Sequence, residues 1–128
     1  MPDPIIFIGH HRVMEGQLEN FREFYREKVK SIEADLPGTL VDVAYTTKDG
    51  AQVTMLHLFR DAEAMDLFFQ GIGDRSKEGN QYLQPLSLEI YGTPSAKVLE
   101  ILNQIEGKGV SVSINPQIVG GYIHLKSG

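Results

Sequence analysis

The sequence predicts an α+β fold built on a four-stranded antiparallel sheet with two helices on one face, and three observations carry that prediction. The first is a hairpin from Thr39 to Arg60. On its first arm Val41, Val43 and Tyr45 alternate with Asp42, Ala44 and Thr46; on its second Val53, Met55, His57 and Phe59 alternate with Thr54, Leu56, Leu58 and Arg60. Period-two patterning of this kind marks strands. The second is the Lys48-Asp49-Gly50 stretch between the arms, where glycine accepts the positive φ of a primed or bulged turn. The third is that an apolar stripe at helical spacing precedes the hairpin and another follows it.

Taken in order, Ile5 to Val13 reads as a strand with Ile5, Phe7, Gly9, His11 and Val13 on one face and Ile6, Ile8, His10 and Arg12 on the other. Gly16 precedes a helix in which Leu18, Phe21, Tyr25, Val29, Ile32 and Leu36 step by three and four, and Pro37-Gly38 ends it. After the hairpin, Asp61 is placed to cap a second helix carrying Ala64, Met65, Phe68, Phe69 and Ile72, interrupted by Gly71 and Gly73. Asp74 to Leu83 is polar and reads as a further irregular helical segment that stops at Pro85. Leu86, Leu88 and Ile90 then alternate with Ser87, Glu89 and Tyr91 in a fourth strand ended by Gly92. Strand, helix, strand, strand, helix, strand is the split βαβ, or ferredoxin-like, arrangement.

This core occupies residues 1–92, and residues 93–128 form a helix and strand appendage too short to fold alone. Thr93-Pro94 reads as a cap and first-position proline for a helix through Val98, Leu99, Leu102 and Ile105. Gly107-Lys108-Gly109 breaks it, Val110, Val112 and Ile114 alternate with serines, and Ile118 to Leu125 reads as a last apolar strand. The extension is expected to pack on its own core or on the partner subunit.

The chain has 128 residues, enough for one domain with a sizeable core. Twelve basic against seventeen acidic side chains give a net charge of -5 with no basic cluster, so nucleic acid and anionic membrane are excluded as partners. The absence of cysteine removes disulfides, thiolate metal sites and cysteine nucleophiles, and suits the cytoplasm. Met1-Pro2-Asp3-Pro4 does not open a secretory signal, and no apolar run is long enough to span a bilayer. A cytoplasmic protein is expected.

Two helices cover one side of such a sheet. The other side, four strands of about six residues, leaves on the order of 400 Å² of plan area. An apolar face of that extent marks an interaction surface. The expected cover is a second copy of the chain, sheet against sheet, in a two-fold homodimer. The alternative is that the C-terminal extension folds back over it.

Gly9-His10-His11-Arg12-Val13, the helix start at Gly16, Leu36-Pro37-Gly38-Thr39 and Leu58-Phe59-Arg60-Asp61-Ala62-Glu63-Ala64 together resemble the antibiotic biosynthesis monooxygenase superfamily of dimeric α/β barrels, over roughly Ile5 to Gly92. The resemblance implies a homodimer with a ligand cavity between helices and sheet in each subunit. Its members include cofactor-independent monooxygenases of polycyclic phenols, quinol oxygenases and haem-degrading enzymes. Haem degradation is disfavoured: Phe68 stands where those relatives carry a tryptophan, and no histidine lies between Asp74 and Leu83.

The resemblance places His11 where such enzymes often have a cavity-facing asparagine, and a histidine there serves as base or hydrogen-bond donor near neutral pH. The alternative is a partly buried histidine satisfied by a backbone carbonyl. His57 stands two before an aromatic, Phe59, and either lines the same pocket or is structural. Two histidines on separate strands have no local ligand spacing and no third partner, so no metal site is expected. Phe7, Phe24 and Phe68 are either pocket walls or core, and Tyr82 offers a phenol to orient an aromatic ligand. No phosphate loop, serine nucleophile motif or dinucleotide fingerprint is present. Two functions follow. One is a monooxygenase without a bound cofactor, acting on a small aromatic or quinol-like compound. The other is a non-catalytic dimeric module that binds a small apolar ligand. A pocket with polar groups converging on His11, as against a cavity filled by phenylalanines, separates them.

Overall fold

The computed structural model describes residues 3–124. Its elements run β1 (Ile5–Val13), α1 (Leu18–Asp35), β2 (Thr39–Thr46), β3 (Gln52–Phe59), α2 (Ala62–Gln70), α3 (Ile72–Gly79), β4 (Leu83–Tyr91), α4 (Ala96–Glu106) and β5 (Ser111–Asn115). The fold is α+β, with one sheet in the order β2-β3-β1-β4-β5. The first four strands have the ferredoxin-like order, with β1 antiparallel to both β3 and β4.

The expected four-stranded antiparallel sheet is corrected to a mixed five-stranded one, because β5 adds parallel to β4. After β4 the chain turns at Gly92, whose φ of +127° favours glycine and where a Cβ would stand 3.2 Å from the Pro4 carbonyl oxygen. It then runs back through α4, so the next strand points the same way as β4, as a helical crossover requires. Val98 and Leu102 of α4 are fully buried in one cluster with Ile5, Phe59, Met65, Phe69 and Ile90. The α4 cap is Ser95, not Thr93: its Oγ accepts from the Val98 amide at 3.2 Å. The apolar run from Ile118 forms no strand as far as His124, and Leu125 lies outside the described residues. Gly121, at φ +117°, interrupts that run, and Ile118, Val119 and Tyr122 are exposed.

Local chemistry accounts for the other boundaries. Asp61 caps α2 by accepting from the Ala64 amide at 2.9 Å. The hairpin loop is Thr47 to Ala51, where Asp49 accepts from the Thr47 hydroxyl at 2.7 Å and the Ala51 amide at 3.0 Å, with Gly50 at φ +74°. The polar segment after Gly71 is a helix, α3, separated from α2 at Gly71.

In β4 the period of two changes phase. His10 pairs with Ser87 but His11 pairs with Pro85, so Leu86 is an extra residue in a bulge. Leu83 and Leu88 are therefore both buried while Leu86 is exposed, although the alternation puts Leu86 in phase with Leu88. Proline lacks the amide that a ladder needs and is tolerated at such an irregularity.

The two sheet faces differ. Phe7, Val53, His57, Phe59, Leu88 and Ile90 lie under the helices. On the opposite face the register sets Val41, Leu58 and Ile6 in one row and Val43, Leu56 and Ile8 in the next. These six side chains lie outside both buried clusters. Beside them His10 meets Thr54 at 3.1 Å and pairs with Glu89, which accepts from Tyr91. Among the described residues no helix is long and apolar enough to cross a membrane.

Candidate functional site

Between the helices and the sheet lies a cavity of about 490 Å³, within the size range of small-molecule sites. Its walls are largely apolar, with Phe21 and Phe24 from α1, Phe68 and Phe69 from α2 and Phe7 and Met55 from the sheet. The polar and charged groups that line it include Tyr25 of α1, Asp42 of β2, His57 of β3, Arg75 of α3 and His11 of β1.

Asp42 and His57 are direct cross-strand neighbours, and their side chains are 7% and 8% exposed. The β2 alternation explains why a carboxylate points inward. Val41, Val43 and Tyr45 take the opposite face, so the polar phase of this strand is the one beneath the helices. Asp42 Oδ1 accepts from the Tyr25 hydroxyl at 2.8 Å and lies 3.5 Å from His57 Nε2. His57 Nδ1 is 3.3 Å from the Phe7 carbonyl oxygen. A carbonyl only accepts, so this contact assigns the proton to Nδ1 and turns the Nε2 lone pair of the neutral ring towards the carboxylate.

The imidazole stacks on Phe7, centroids 5.2 Å apart, and meets the Phe68 ring at a tilt, centroids 4.8 Å apart. Burial, opposed by the Asp42 charge, pushes its pKa down. The Tyr25 phenol is pushed up by burial and by Asp42, so it remains a donor throughout the physiological range.

His11 stands one strand over. Burial pushes its pKa down to about 4, which leaves it neutral at physiological pH. The space beside Gly9 is taken up by this imidazole, since a Cβ there would lie 2.8 Å from His11 Cε1. Arg75 reaches in from α3, where its guanidinium lies 4.3 Å over the Phe68 ring and Nη2 donates to the Phe68 carbonyl. At the rim, Lys28 pairs with Glu78 at 3.1 Å and stands over Phe24.

Of the residues singled out from sequence, His11, Phe7, Phe24, His57 and Phe68 line this one cavity. Tyr82 is not among the lining residues; its ring packs against Phe24, centroids 5.3 Å apart. Sequence reasoning missed Tyr25, Asp42 and Arg75. Tyr25 sits within the α1 apolar stripe as its only hydroxyl, and Asp42 interrupts a strand whose partner carries His57. Those were the available signals; Arg75, one charge among many on α3, offered none.

No family model matches the chain, and no curated protein matches it. Solved structures do. MupZ from Pseudomonas fluorescens superposes with a TM-score of 0.70 at 14% identity, covering 92% of this chain and 94% of its own. SnoaB, a cofactor-independent oxygenase from Streptomyces nogalater, gives 0.59 at 12%, covering 73% and 96%. A structure described as a candidate antibiotic biosynthesis monooxygenase from Chloroflexus aurantiacus J-10-fl gives 0.57 at 14%, covering 73% and 94%. The likeness seen in the sequence motifs thus holds at the level of the fold.

Proposed function

We propose that this protein is a cofactor-independent monooxygenase that takes a small aromatic or quinol-like compound into the cavity, and that it works as a cytoplasmic homodimer joined through the uncovered sheet face. The observation that carries the reading is the Tyr25–Asp42–His57 chain, a buried proton-accepting network that opens on an apolar cavity. A substrate hydroxyl donates to Asp42 Oδ2, and the proton it releases is shared with His57 Nε2, the one ring position without a hydrogen. Tyr25 holds the carboxylate in place. His11, with a conjugate acid near pH 4, keeps a proton poorly and is a hydrogen-bond acceptor for the ligand in this scheme, not the base.

The resulting anion is electron-rich and stands among phenylalanines instead of water. It reduces oxygen directly: a ring CH2 becomes C=O, one oxygen atom entering the carbon and the other leaving as water with the two hydrogens. SnoaB, of the same fold, is named a cofactor-independent oxygenase, which supports the class of reaction and leaves the substrate to chemistry.

Oxygen uptake over a panel of quinols and anthrone-like phenols tests the reading. Turnover with at least one, reduced a hundredfold or more in Asp42→Asn, is expected. Binding of these compounds without oxygen uptake would make the protein a ligand-binding module instead.

A further inference from the structure

Among the described residues, the buried side-chain atoms without a hydrogen-bond partner are His11 Nδ1, Asp42 Oδ2, Arg75 Nε and Thr39 Oγ1, and the first three belong to residues that line the cavity. Buried polar atoms are normally paired, so three orphans around one empty space describe the shape of what fills it. Asp42 Oδ2 accepts only, so it calls for a donor. Arg75 Nε donates only, so it calls for an acceptor.

The guanidinium carries a full charge and takes part in no ion pair among the described residues. Its Nη2 is tied to the Phe68 carbonyl and its plane rests on the Phe68 ring. This fixes the remaining N–H groups in place. A half-buried cation without a carboxylate partner is costly unless an anion meets it, and a planar fork of donors matches a delocalised oxyanion. Asp42 lends its charge to the guanidinium and favours the charged form, but it makes no ion pair with it, and its Oδ1 is engaged with Tyr25 and faces His57.

We infer that the ligand is an aromatic compound carrying an anionic oxygen, received by Arg75, next to a hydroxyl that donates to Asp42 Oδ2. The inference rests on the reading of this cavity as the ligand site and narrows its substrate from phenols in general to acidic hydroxyarenes. A carboxylate beside a hydroxyl presents both groups, whereas an ionised enol beside a carbonyl presents the anion to Arg75 and no hydrogen to Asp42.

The test is calorimetric titration of the full chain at pH 7 with three probes: 1-hydroxy-2-naphthoate, its methyl ester, and 2-hydroxy-1,4-naphthoquinone, which is ionised at that pH. At least one anionic probe should bind tenfold or more tighter than the ester. Arg75→Gln should remove that advantage by weakening the anions far more than the ester, and Arg75→Lys should keep part of it. Which anion wins identifies the source of the charge. If the ester binds as well as the anions, or if Arg75→Gln keeps the difference, the inference is overturned while the cavity remains a ligand site. If no probe binds, both fall. Should Arg75→Gln lose its cooperative melting, the Arg75→Lys comparison decides: an undiminished advantage there removes the role of the planar fork.

Discussion

The Tyr25 hydroxyl on α1 donates to Asp42 Oδ1 on β2 at 2.8 Å, joining the helical layer to the sheet at the most polar point of the cavity. Removing it leaves Asp42 one donor short in a place water does not easily reach. Tyr25→Phe should lower stability by about 1 kcal/mol, the net worth of such a bond. Turnover should fall about tenfold, since a mobile carboxylate is a poorer base. Urea unfolding and oxygen uptake measure the two; an unchanged rate would remove Tyr25 from the proposed network.

Stability should depend on pH through His11. Burial holds its pKa at about 4, against 6.5 in the ordinary case. Between these values the unfolded chain binds a proton that the folded chain refuses. The contribution is therefore complete above pH 6.5 and is lost as pH falls towards 4. The gap corresponds to roughly 3 kcal/mol at full extent. His57 shifts in the same direction for the same reason. Urea midpoints at pH 7.5 and 4.5 should differ, and His11→Asn should narrow the difference. Equal midpoints in the parent protein would place His11 in water.

Light scattering at micromolar concentration should give twice the 14.3 kDa chain mass. Leu56, flanked by Val43 and Ile8 on the uncovered face, is the position to break. Leu56→Asp should yield a monomer with unchanged far-ultraviolet circular dichroism, because the side chain lies outside the buried core. A parent protein of single-chain mass would overturn the dimer.

Truncations should divide the C-terminal segment in two. Removal of everything after Gly92 takes away Val98 and Leu102, each at most 1% exposed, and should abolish the cooperative thermal transition. Ending the chain after Pro116 keeps α4 and β5 and should leave the transition within a few degrees, since Ile118, Val119 and Tyr122 are at least 83% exposed and Ile123 is 42% exposed.

Much of the architecture was legible because its signals are local. The hairpin, the α1 stripe and the Asp61 cap each lie within a few residues of the structure they specify. Other features were hidden because their causes lie across the sheet. The inward turn of Asp42 follows from the apolar phase of β2 facing away from the helices. The exposure of Leu86 follows from a bulge opposite His11. The alternation of Val110, Val112 and Ile114 marked a strand, but its addition to the sheet beside β4 left no local signal. His11, His57 and three phenylalanines were found as chemistry-bearing types at inward positions. Tyr25 and Arg75 were lost because one looked like stripe and the other like solvated charge.

The central position of β1 governs how the chain is made. Its partners are β3 and β4, so Ile5 meets Phe59 and Phe7 meets Ile90. A growing chain therefore carries the apolar run Ile5-Ile6-Phe7-Ile8 unpaired until β3 and β4 have been synthesised. Folding must close loops of about fifty and eighty residues to seat this strand, which places the domain among slower folders for its size. Before that closure the same run is an exposed β-prone segment, a hazard during synthesis. Pro2 and Pro4 ahead of it, and His10, His11 and Arg12 behind it, are residues that resist adding to a foreign sheet edge. Residues at the two ends of β1 thus guard the strand before its partners exist.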